Sequence, residues 1–575
     1  MSGENPIKKI SPIPLLHPAP LSFKMRQTIY MPVFNSTSTQ PAPAPPARRR
    51  LENMGKLCVA IQASSPAQLI ERAEAALSES QPDARFIELR LDSLPKPALA
   101  LPKINEFLAD HREVKAIATC RRKEFGGNFD GPLTAELDLL LKAAQAGCRI
   151  VDLEVESAEE AAPRQLDPFR EKLRAAGTAL LVSFHDFTRT KNLEQAAQRI
   201  EAFHPDFVKV VSTARSLADN LAVLKLIADR SRSTEFVGIA MGEEGVVSRI
   251  LGLRFGAAFT FASFSDGSEA DSKLATAPGQ VSLRTLRDLY RVEQLDLATR
   301  LFAVAGNPIA HSLSPLMQNT AFRRENINAV MFPLKTRAVD DLLTLIRELP
   351  LAGVAVTMPL KQEILPFLAN PVTKTSVPLT HRIGACNTLR IGADGKIYGF
   401  NTDVDGVIRP LEKRLKLKGA RIAVLGAGGA ARAAVFGLVD QGAEVFIVNR
   451  THENAVKLAK ESKAKALKRE QFAGSSRFDV LINSTPCGMA GTKQTLPPPF
   501  DTGEKDLNAS LIFDLVYNPL ETPLLKLAKE SGIPVISGLE MFVQQGARQF
   551  EIWTGKPAPE AEMLRVVELE LRRRG

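Results

Sequence analysis

Apolar and polar positions change period in a regular way along this chain. From residue 56, short and nearly continuous apolar runs alternate with longer stretches whose apolar residues recur at helical spacing. The runs are KLCVAI, RFIELRL, VKAIAT, CRIVDLEV, TALLVSF, DFVKVV, EFVGIA and AAFTFAS. Between them lie amphipathic stretches such as PAQLIERAEAAL, LTAELDLLLKAAQAG and NLEQAAQRIEAF. Strands that are apolar on both faces and separated by helices belong in a parallel sheet covered on both sides. Eight strands and about eight helices in roughly 235 residues predict a (β/α)8 barrel over residues 54–292. In that fold chemistry gathers where the strands end.

A short helical connector over roughly residues 283–299, with 293–299 as linker, leads to a second α/β region. Its first strands are RLFAVAGNP, NAVMFPL and GVAVTMP. The segment ARIAVLGAGGAARAAVFGLVDQGAEVFIVNR then reads as strand, Gly-rich turn, helix and strand, the order a dinucleotide-binding unit requires. Strands DVLINST, SLIFDLV and PVISG follow, and two helices, LEMFVQQGARQFEIWTG and PEAEMLRVVELELRRR, close the chain. The predicted fold class is α/β: a barrel followed by a two-domain α/β dehydrogenase with a Rossmann-type nucleotide-binding domain. The expected divisions are a substrate domain at 300–404, the nucleotide domain at 405–536, and C-terminal helices at 537–575 that return to the substrate domain.

Composition adds limits. The chain has 575 residues, 45% hydrophobic and 24% charged, which suits several globular domains and excludes a mostly disordered or disulfide-stapled protein. Its five cysteines are scattered without CxxC spacing, so neither a metal site nor a disulfide framework is expected, and a reducing compartment is. No apolar run reaches the roughly 18 residues of a membrane span. The net charge of +10 invites a nucleic-acid reading, but residues 1–53 hold seven Lys/Arg against Glu4 and Glu52, half of the excess. The remainder is a mixed-sign surface without an aromatic-interleaved basic stripe, so no nucleic-acid partner and no membrane partner are expected. Residues 1–53 are Pro- and Ser-rich, end in QPAPAPPARRR and have no period, so they read as a disordered basic tail. Too Pro-rich for an amphipathic transit helix, they read as dispensable, and Met54 offers an alternative start. The expected location is the cytoplasm, with the plastid as the alternative.

Five polar residues fall at or after the ends of barrel strands: Glu88 and Arg90 in FIELRLD, Arg121 in ATCRR, His185 in SFHDF and Lys209 in DFVKVV. Flanked by Phe207, Val208, Val210 and Val211, Lys209 should point into the barrel mouth. Desolvation there favours the neutral amine, a nucleophile able to form a Schiff base with a ketone; the alternative is a lysine whose head reaches water. His185 suits a general acid/base role, or a satisfied structural one. Arg90, Arg121 and Arg249 suit carboxylate or hydroxyl recognition, against plain surface arginines. In their order and spacing ELRLD, SFHDF, FVKVV, MGEEGVVSR and APGQVS resemble the type I 3-dehydroquinate dehydratases, over about residues 56–290. The resemblance implies that Lys209 forms the Schiff base with 3-dehydroquinate and that His185 moves the C2 proton and assists loss of the C1 hydroxyl. It also implies that Glu88, Arg90, Arg121, Arg249, Thr276 and Gln280 hold the substrate. The family's Arg, three residues and Glu-Gly-Gly reads here as Arg121, Arg122-Lys123-Glu124, then Phe125-Gly126-Gly127. Glu124 is displaced by one place, which raises the question of what orients His185.

In the second half GAGGAA fits GxGxxA: Gly426 for the tight turn, Gly428 for close pyrophosphate approach, Gly429 next to it, and Ala431 for helix packing. The following strand ends in Asn449, Arg450 and Thr451 rather than an acid. A guanidinium and a hydroxyl suit a 2′-phosphate, so NADP(H) is the expected cofactor. Upstream, Ser312 and Ser314 are spaced to point the same way in an extended turn. Lys361 and Asp403 lie too far apart for spacing to pair them. With AGNPIAHSLSP, VTMPLK, GACNTL, GFNTDVDG, NSTPCGM and DLVYNP, the chain from about residue 300 closely resembles shikimate dehydrogenase. The resemblance makes 300–404 the shikimate-binding domain and implies reduction of 3-dehydroshikimate, with Lys361 and Asp403 flanking the reacting oxygen. Ser312, Ser314, Thr357, Asn387, Tyr517 and Gln545 match substrate positions, and Thr485 and Met541 match positions near the nicotinamide. The family's Asn-Val-Thr reads here as Ala355-Val356-Thr357.

The two resemblances name consecutive reactions, so a bifunctional enzyme is expected: dehydration of 3-dehydroquinate, then NADPH-dependent reduction to shikimate. A hydroxyl is all that separates a quinate dehydrogenase from this reading, and packing decides such discrimination. A non-catalytic quinate or shikimate sensor is the distant alternative; retention of Lys209, His185, Lys361 and Asp403 argues against it.

Overall fold

The computed structural model describes residues 54–80, 85–264, 279–369, 378–491, 495–497, 500 and 507–574. The tail at 1–53 and the candidate Thr276 lie outside the described residues. Eight strands form the first sheet: β1 (Leu57–Ile61), β2 (Phe86–Arg90), β3 (Lys115–Thr119), β4 (Ile150–Glu154), β5 (Ala179–His185), β6 (Phe207–Thr213), β7 (Glu235–Met241) and β8 (Thr260–Ser263). They run in the order β7-β6-β5-β4-β3-β2-β1-β8 with parallel neighbours. At the seam Ala258 N–H donates to the Phe236 carbonyl at 2.8 Å, so the sheet is a nearly closed barrel. Strand alternation divides the side chains. On β6 Val208 and Val210 join the layer under the helices, while Phe207 and Val211 join Phe86, Ile239, Phe259 and Phe261 inside.

The connector is shorter than its pattern predicts. Helical turns at Thr285–Tyr290 and Val292–Gln294 are separated by Arg291 in the left-handed region (φ 49°). The second sheet follows, of β9 (Arg300–Gly306), β10 (Ala329–Lys335), β11 (Leu351–Val356), β12 (Thr388–Ile391) and β13 (Ile397–Phe400), in the order β10-β9-β11-β12-β13. The first three are parallel; β12 and β13 form an antiparallel hairpin absent from the sequence expectation. A third, fully parallel sheet holds β14 (Arg421–Leu425), β15 (Glu444–Val448), β16 (Lys465–Leu467), β17 (Val480–Asn483), β18 (Ile512–Asp514) and β19 (Val535–Ile536), in the order β16-β15-β14-β17-β18-β19. Order reverses between β14 and β17, the crevice where such sheets bind nucleotides.

The closing helices, Gly538–Thr554 and Glu560–Arg574, lie against the second sheet. Phe550, Trp553, Met563 and Val567 are buried with Phe302, Phe322 and Met331. The Phe302 ring lies 5.0 Å from Phe322 and 5.2 Å from Trp553. The Trp553 indole donates to the Leu389 carbonyl at 2.9 Å. Its approach needs the bare backbone of Gly353, where a Cβ would sit 2.3 Å from Nε1. Between barrel and second sheet, Lys225 pairs with Glu348 at 2.8 Å and Arg323 donates to the carbonyls of Asp288 and Leu289. Trp553 is the only tryptophan of the chain, so its fluorescence reports this packing. Phe550→Ala should cost about 3–5 kcal/mol of stability and so move the urea transition seen by that fluorescence to lower concentration; an unmoved midpoint would mean the helix is not held by this cluster.

Candidate active sites

Lys209 lies mid-strand on β6, with its side chain 5% exposed in the barrel mouth. Its amine donates to Asp152 Oδ2 at 2.8 Å, stands 3.7 Å from Glu88 Oε1 and lies 4.4 Å from the centre of the Phe261 ring. The apolar flanks lie along its own strand, while two carboxylates from other strands face the amine, because a charge this deep must be paired. The same cleft, about 460 Å³ and open to solvent, is lined by Glu88, Arg90, Arg121, His185, Arg249 and Gln280. The described barrel candidates thus come together.

His185 ends β5. Its Nδ1 lies 2.9 Å from Glu154 Oε1, and Glu154 also accepts from Arg121 Nε at 2.9 Å, while Ser183 Oγ, 3.0 Å away, donates to Asp152 Oδ1 at 2.6 Å. A carboxylate on Nδ1 fixes the tautomer that leaves Nε2 bare as a base. Glu124 does not orient the histidine: its side chain is 72% exposed and pairs with Arg122. Asp152 and Glu154 are the residues the sequence reading missed. Their signal is the i, i+2 spacing of acids in CRIVDLEV, which puts both inside the barrel while Val151 and Leu153 face the helices.

Charge and burial set the protonation states. Burial pushes His185 well below its ordinary value, and the nearby Arg121 and Lys209 push the same way. Burial raises Asp152, but Lys209 and Arg121 outweigh it and hold the carboxyl at about 2. Burial raises Glu154, with Arg121 opposing. The three cleft arginines differ. Arg90 is forked onto Asp92 at 2.9 and 2.8 Å, and Arg121 is taken by Glu154. Arg249 has no acidic partner among the described residues: its Nε is buried unpaired, its one bond is 3.5 Å to the Phe261 carbonyl, and burial lowers it to about 10.

In the second half Lys361 and Asp403, 42 positions apart, meet at 2.7 Å. Lys361 stands on the helical turn Leu360–Glu363 after β11, and Asp403 opens the helix Asp403–Glu412. Asn387 donates to Asp403 Oδ1 at 2.8 Å, and its own carbonyl oxygen accepts from Thr402 N–H and Thr388 Oγ1, both at 2.8 Å. The Lys361 side chain is 29% exposed, far more open than Lys209. Gln545 and Met541 lie against the Asp403 helix at Gly406, where a Cβ would be 3.1 Å from Gln545 Cβ. Tyr517 stacks on Phe542 at 4.7 Å, and the Gln545 amide donates to the Phe542 carbonyl. Thr357 N–H donates to Ala305 O on β9 at 2.9 Å. Ser312 and Ser314 do not share an extended turn: Ser314 begins the helix Ser314–Arg324, and its N–H donates to Ser312 Oγ at 3.3 Å. Arg574 donates to the carbonyl of the neighbouring His311. Ala355 is buried in the Phe302 cluster, where a methyl packs without a polar partner.

Gly426 follows β14 with φ 112°, and a Cβ there would be 2.7 Å from Ser484 Oγ and 3.3 Å from Thr485 Cγ2. Thr485, after β17, therefore stands at the glycine turn. A Cβ on Gly428 or Gly429 would meet nothing within 4 Å, leaving an open approach at the N-terminus of the helix Gly429–Asp440, whose Ala431 is buried. Helix N-termini take anions. After β15, Asn449 Nδ2 donates to the Thr451 carbonyl at 2.9 Å, and Arg450 is exposed without an ion pair among the described residues. This turn fits a pyrophosphate with a further phosphate at Arg450.

Residues 57–296 match the type I 3-dehydroquinase family, 304–389 the shikimate dehydrogenase substrate binding domain, 410–491 the shikimate/quinate 5-dehydrogenase family and 538–568 the shikimate 5′-dehydrogenase C-terminal domain. A chloroplastic bifunctional 3-dehydroquinate dehydratase/shikimate dehydrogenase of Arabidopsis thaliana is 32% identical over 529 residues, covering 88% of this chain and 83% of the relative. A shikimate dehydrogenase (NADP(+)) of Maridesulfovibrio salexigens is 41% identical, over 44% of this chain and 92% of its own. Among solved structures, a shikimate 5-dehydrogenase from Thermus thermophilus in complex with NADP(H) and shikimate matches 48% of this chain and 99% of its own, at 35% identity and a TM-score of 0.41.

A histidine whose imidazolium is disfavoured stays neutral as pH falls past its ordinary value and gains its proton only lower down. NMR titration of His185 should therefore give a midpoint below 6.5. Arg121→Met, by removing a neighbouring cation, should move it up; a midpoint at or above 6.5 in the unaltered chain would refute this balance of burial and charge.

Proposed function

The chain belongs to the bifunctional 3-dehydroquinate dehydratase/shikimate dehydrogenase family, and from this premise we propose which residues carry each reaction. It dehydrates 3-dehydroquinate to 3-dehydroshikimate and reduces that product to shikimate with NADPH. The observation that carries the assignment is one cleft lined by a buried lysine amine, a histidine oriented by Glu154 and an arginine without an acidic partner among the described residues.

In the barrel the Lys209 nitrogen condenses with the C3 ketone, expelling the ketone oxygen as water. The protonated imine stands where the ammonium stood, so Asp152 and Glu88 neutralise a cation before and after the step. His185 Nε2 then removes a C2 proton, and the C–H electrons flow into the iminium to give a neutral enamine. The imidazolium, steadied by Glu154, returns that proton to the C1 hydroxyl, which leaves as water. Hydrolysis of the imine frees the product and restores Lys209. Arg249 takes the substrate carboxylate, the anion its buried guanidinium lacks. Glu88, Arg90, Arg121, Thr276 and Gln280 complete the substrate contacts.

In the dehydrogenase, Gly426, Gly428, Gly429 and Ala431 form the turn that would take the pyrophosphate, and Asn449, Arg450 and Thr451 would hold the 2′-phosphate. Thr485 and Met541 would border the nicotinamide, which would supply the hydride when bound. Lys361 places an ammonium where negative charge develops on the reacting oxygen and donates its proton there, while Asp403 fixes its position. Asn387 in turn fixes Asp403. Ser312, Ser314, Thr357, Asn387, Tyr517 and Gln545 hold the hydroxyls and carboxylate of the substrate. These roles divide the chain into a dehydratase at 54–292, a substrate domain at 300–404, a nucleotide domain at 405–536 and returning helices at 537–575. No helix among the described residues is long and apolar enough to cross a membrane. For location we infer the cytoplasm, from the Pro-rich and aperiodic residues 1–53; organelle import directed by that segment would favour the plastid, the site in the name of the Arabidopsis relative.

Borohydride added with 3-dehydroquinate should reduce the imine and leave a stable adduct on the peptide containing Lys209, and Lys209→Met should leave none. An adduct on another lysine would overturn the assignment. Arg450→Ala should cut the preference for NADPH over NADH, read as the ratio of kcat/KM values, by about 10- to 100-fold; an unchanged ratio would place the 2′-phosphate elsewhere.

A further inference from the structure

The loop after β7 is gripped from two sides. On the barrel side, Asn220 donates to the Glu244 carbonyl at 2.7 Å and accepts from Ser248 N–H at 3.0 Å. From the dehydrogenase, Lys335 at the end of β10 reaches Glu243 Oε2 at 2.6 Å and Glu244 Oε1 at 3.0 Å. Glu243 and Glu244 form a tight turn, Glu243–Gly245, that runs directly into the helix Val246–Leu251 carrying Arg249. Just before the turn, Met241 lines the dehydratase cleft, and Gly279 packs on Gly242 so closely that a Cβ would lie 2.1 Å from its carbonyl oxygen. Gln280, next to Gly279, lines the cleft as well. Among the described residues Arg249 itself has no acidic partner, with one 3.5 Å bond to the Phe261 carbonyl and a buried Nε without a partner. Its side chain is carried by a backbone that Asn220 and Ser248 hold from within the barrel and that Lys335 contacts from the dehydrogenase side.

We propose that Lys335, a residue of the dehydrogenase half, is a positioning residue for the dehydratase reaction: by clamping Glu243 and Glu244 it aims Arg249 at the substrate carboxylate. This rests on the assignment of that carboxylate to Arg249. A brace on a binding group, rather than on Lys209 or His185, acts on ground state and transition state alike and so moves KM more than kcat.

The test uses the full chain and follows the enone formed from 3-dehydroquinate, with NADPH-dependent reduction of 3-dehydroshikimate as the check on folding. Lys335→Ala should raise the dehydratase KM roughly three- to tenfold, with kcat within about twofold. Lys335→Arg should restore it. Glu243→Gln with Glu244→Gln should reproduce the rise without adding to that of Lys335→Ala, since all three act through one contact. An unchanged KM in Lys335→Ala, where Arg249→Ala raises it, overturns the proposal and leaves the Arg249 assignment standing. An unchanged KM in Arg249→Ala removes the assignment itself. If Lys335→Ala does not fold, the reversed set K335E/E243K/E244K rebuilds both pairs: a KM near the original supports the clamp, and a raised KM overturns it.

Discussion

A lysine ammonium held inside a protein must have its charge met, and in this barrel the obligation falls on Asp152 and Glu88. The consequence spreads across adjacent strands. Asp152 needs Ser183 for its second oxygen, and Arg121 lies 3.7 Å from it while bonding Glu154. Glu154 in turn sets the face of His185. Strands β3 to β6 are thereby tied to each other through side chains as well as through their backbone ladder. Such a cluster is expensive to desolvate and contributes less to stability than an apolar interior of the same volume would. What it provides is a fixed field at one point, with the amine paired and the imidazolium disfavoured by burial and by Arg121 and Lys209.

The dehydrogenase meets a related need in a different medium. Lys361 and Asp403 are closer than many surface pairs but keep access to solvent, and a shell of neutral hydrogen bonds from Asn387, Thr388, Thr402 and Gln549 supports them. Reduction of a carbonyl needs one proton delivered as charge develops, so a lysine that can exchange with water suits it. Imine chemistry carries a positive charge on the lysine nitrogen through several steps, and in the barrel that nitrogen lies deep, facing Asp152 and Glu88. One chain thus uses the same side chain at two depths, each matched to the lifetime of the charge it handles.

The fold was legible because burial on both faces writes itself as continuous apolar runs, and all eight barrel strands lie where those runs predict. The hairpin of β12 and β13 was not, since two four-residue strands around a turn leave too little pattern to read. Site residues at strand ends, Glu88, Arg90 and His185 among them, were legible as polar interruptions in apolar context. Asp152 and Glu154 interrupt a run in the same way, but inside a strand their partners come from other strands, and no spacing states which. For the same reason Lys361 and Asp403 could be named singly but not paired. The displaced Glu124 shows the limit of a motif: the position shifted while the carboxylate beside His185 comes from β4, through contacts absent from the local sequence.

The last helices of the chain lie against the sheet that begins at residue 300, and Trp553 and Phe550 fill its core. During synthesis this sheet is therefore left with an uncovered apolar face until the helices Gly538–Thr554 and Glu560–Arg574 have emerged. The barrel, by contrast, has all its strands by residue 263. The first enzyme can assemble while the second is still being translated, and the second must wait, its aromatic face exposed, for residues made some 250 positions later. The interval in which that face is bare is set by the rate of elongation. Chaperone demand and premature aggregation should thus concentrate on the dehydrogenase half of the nascent polypeptide.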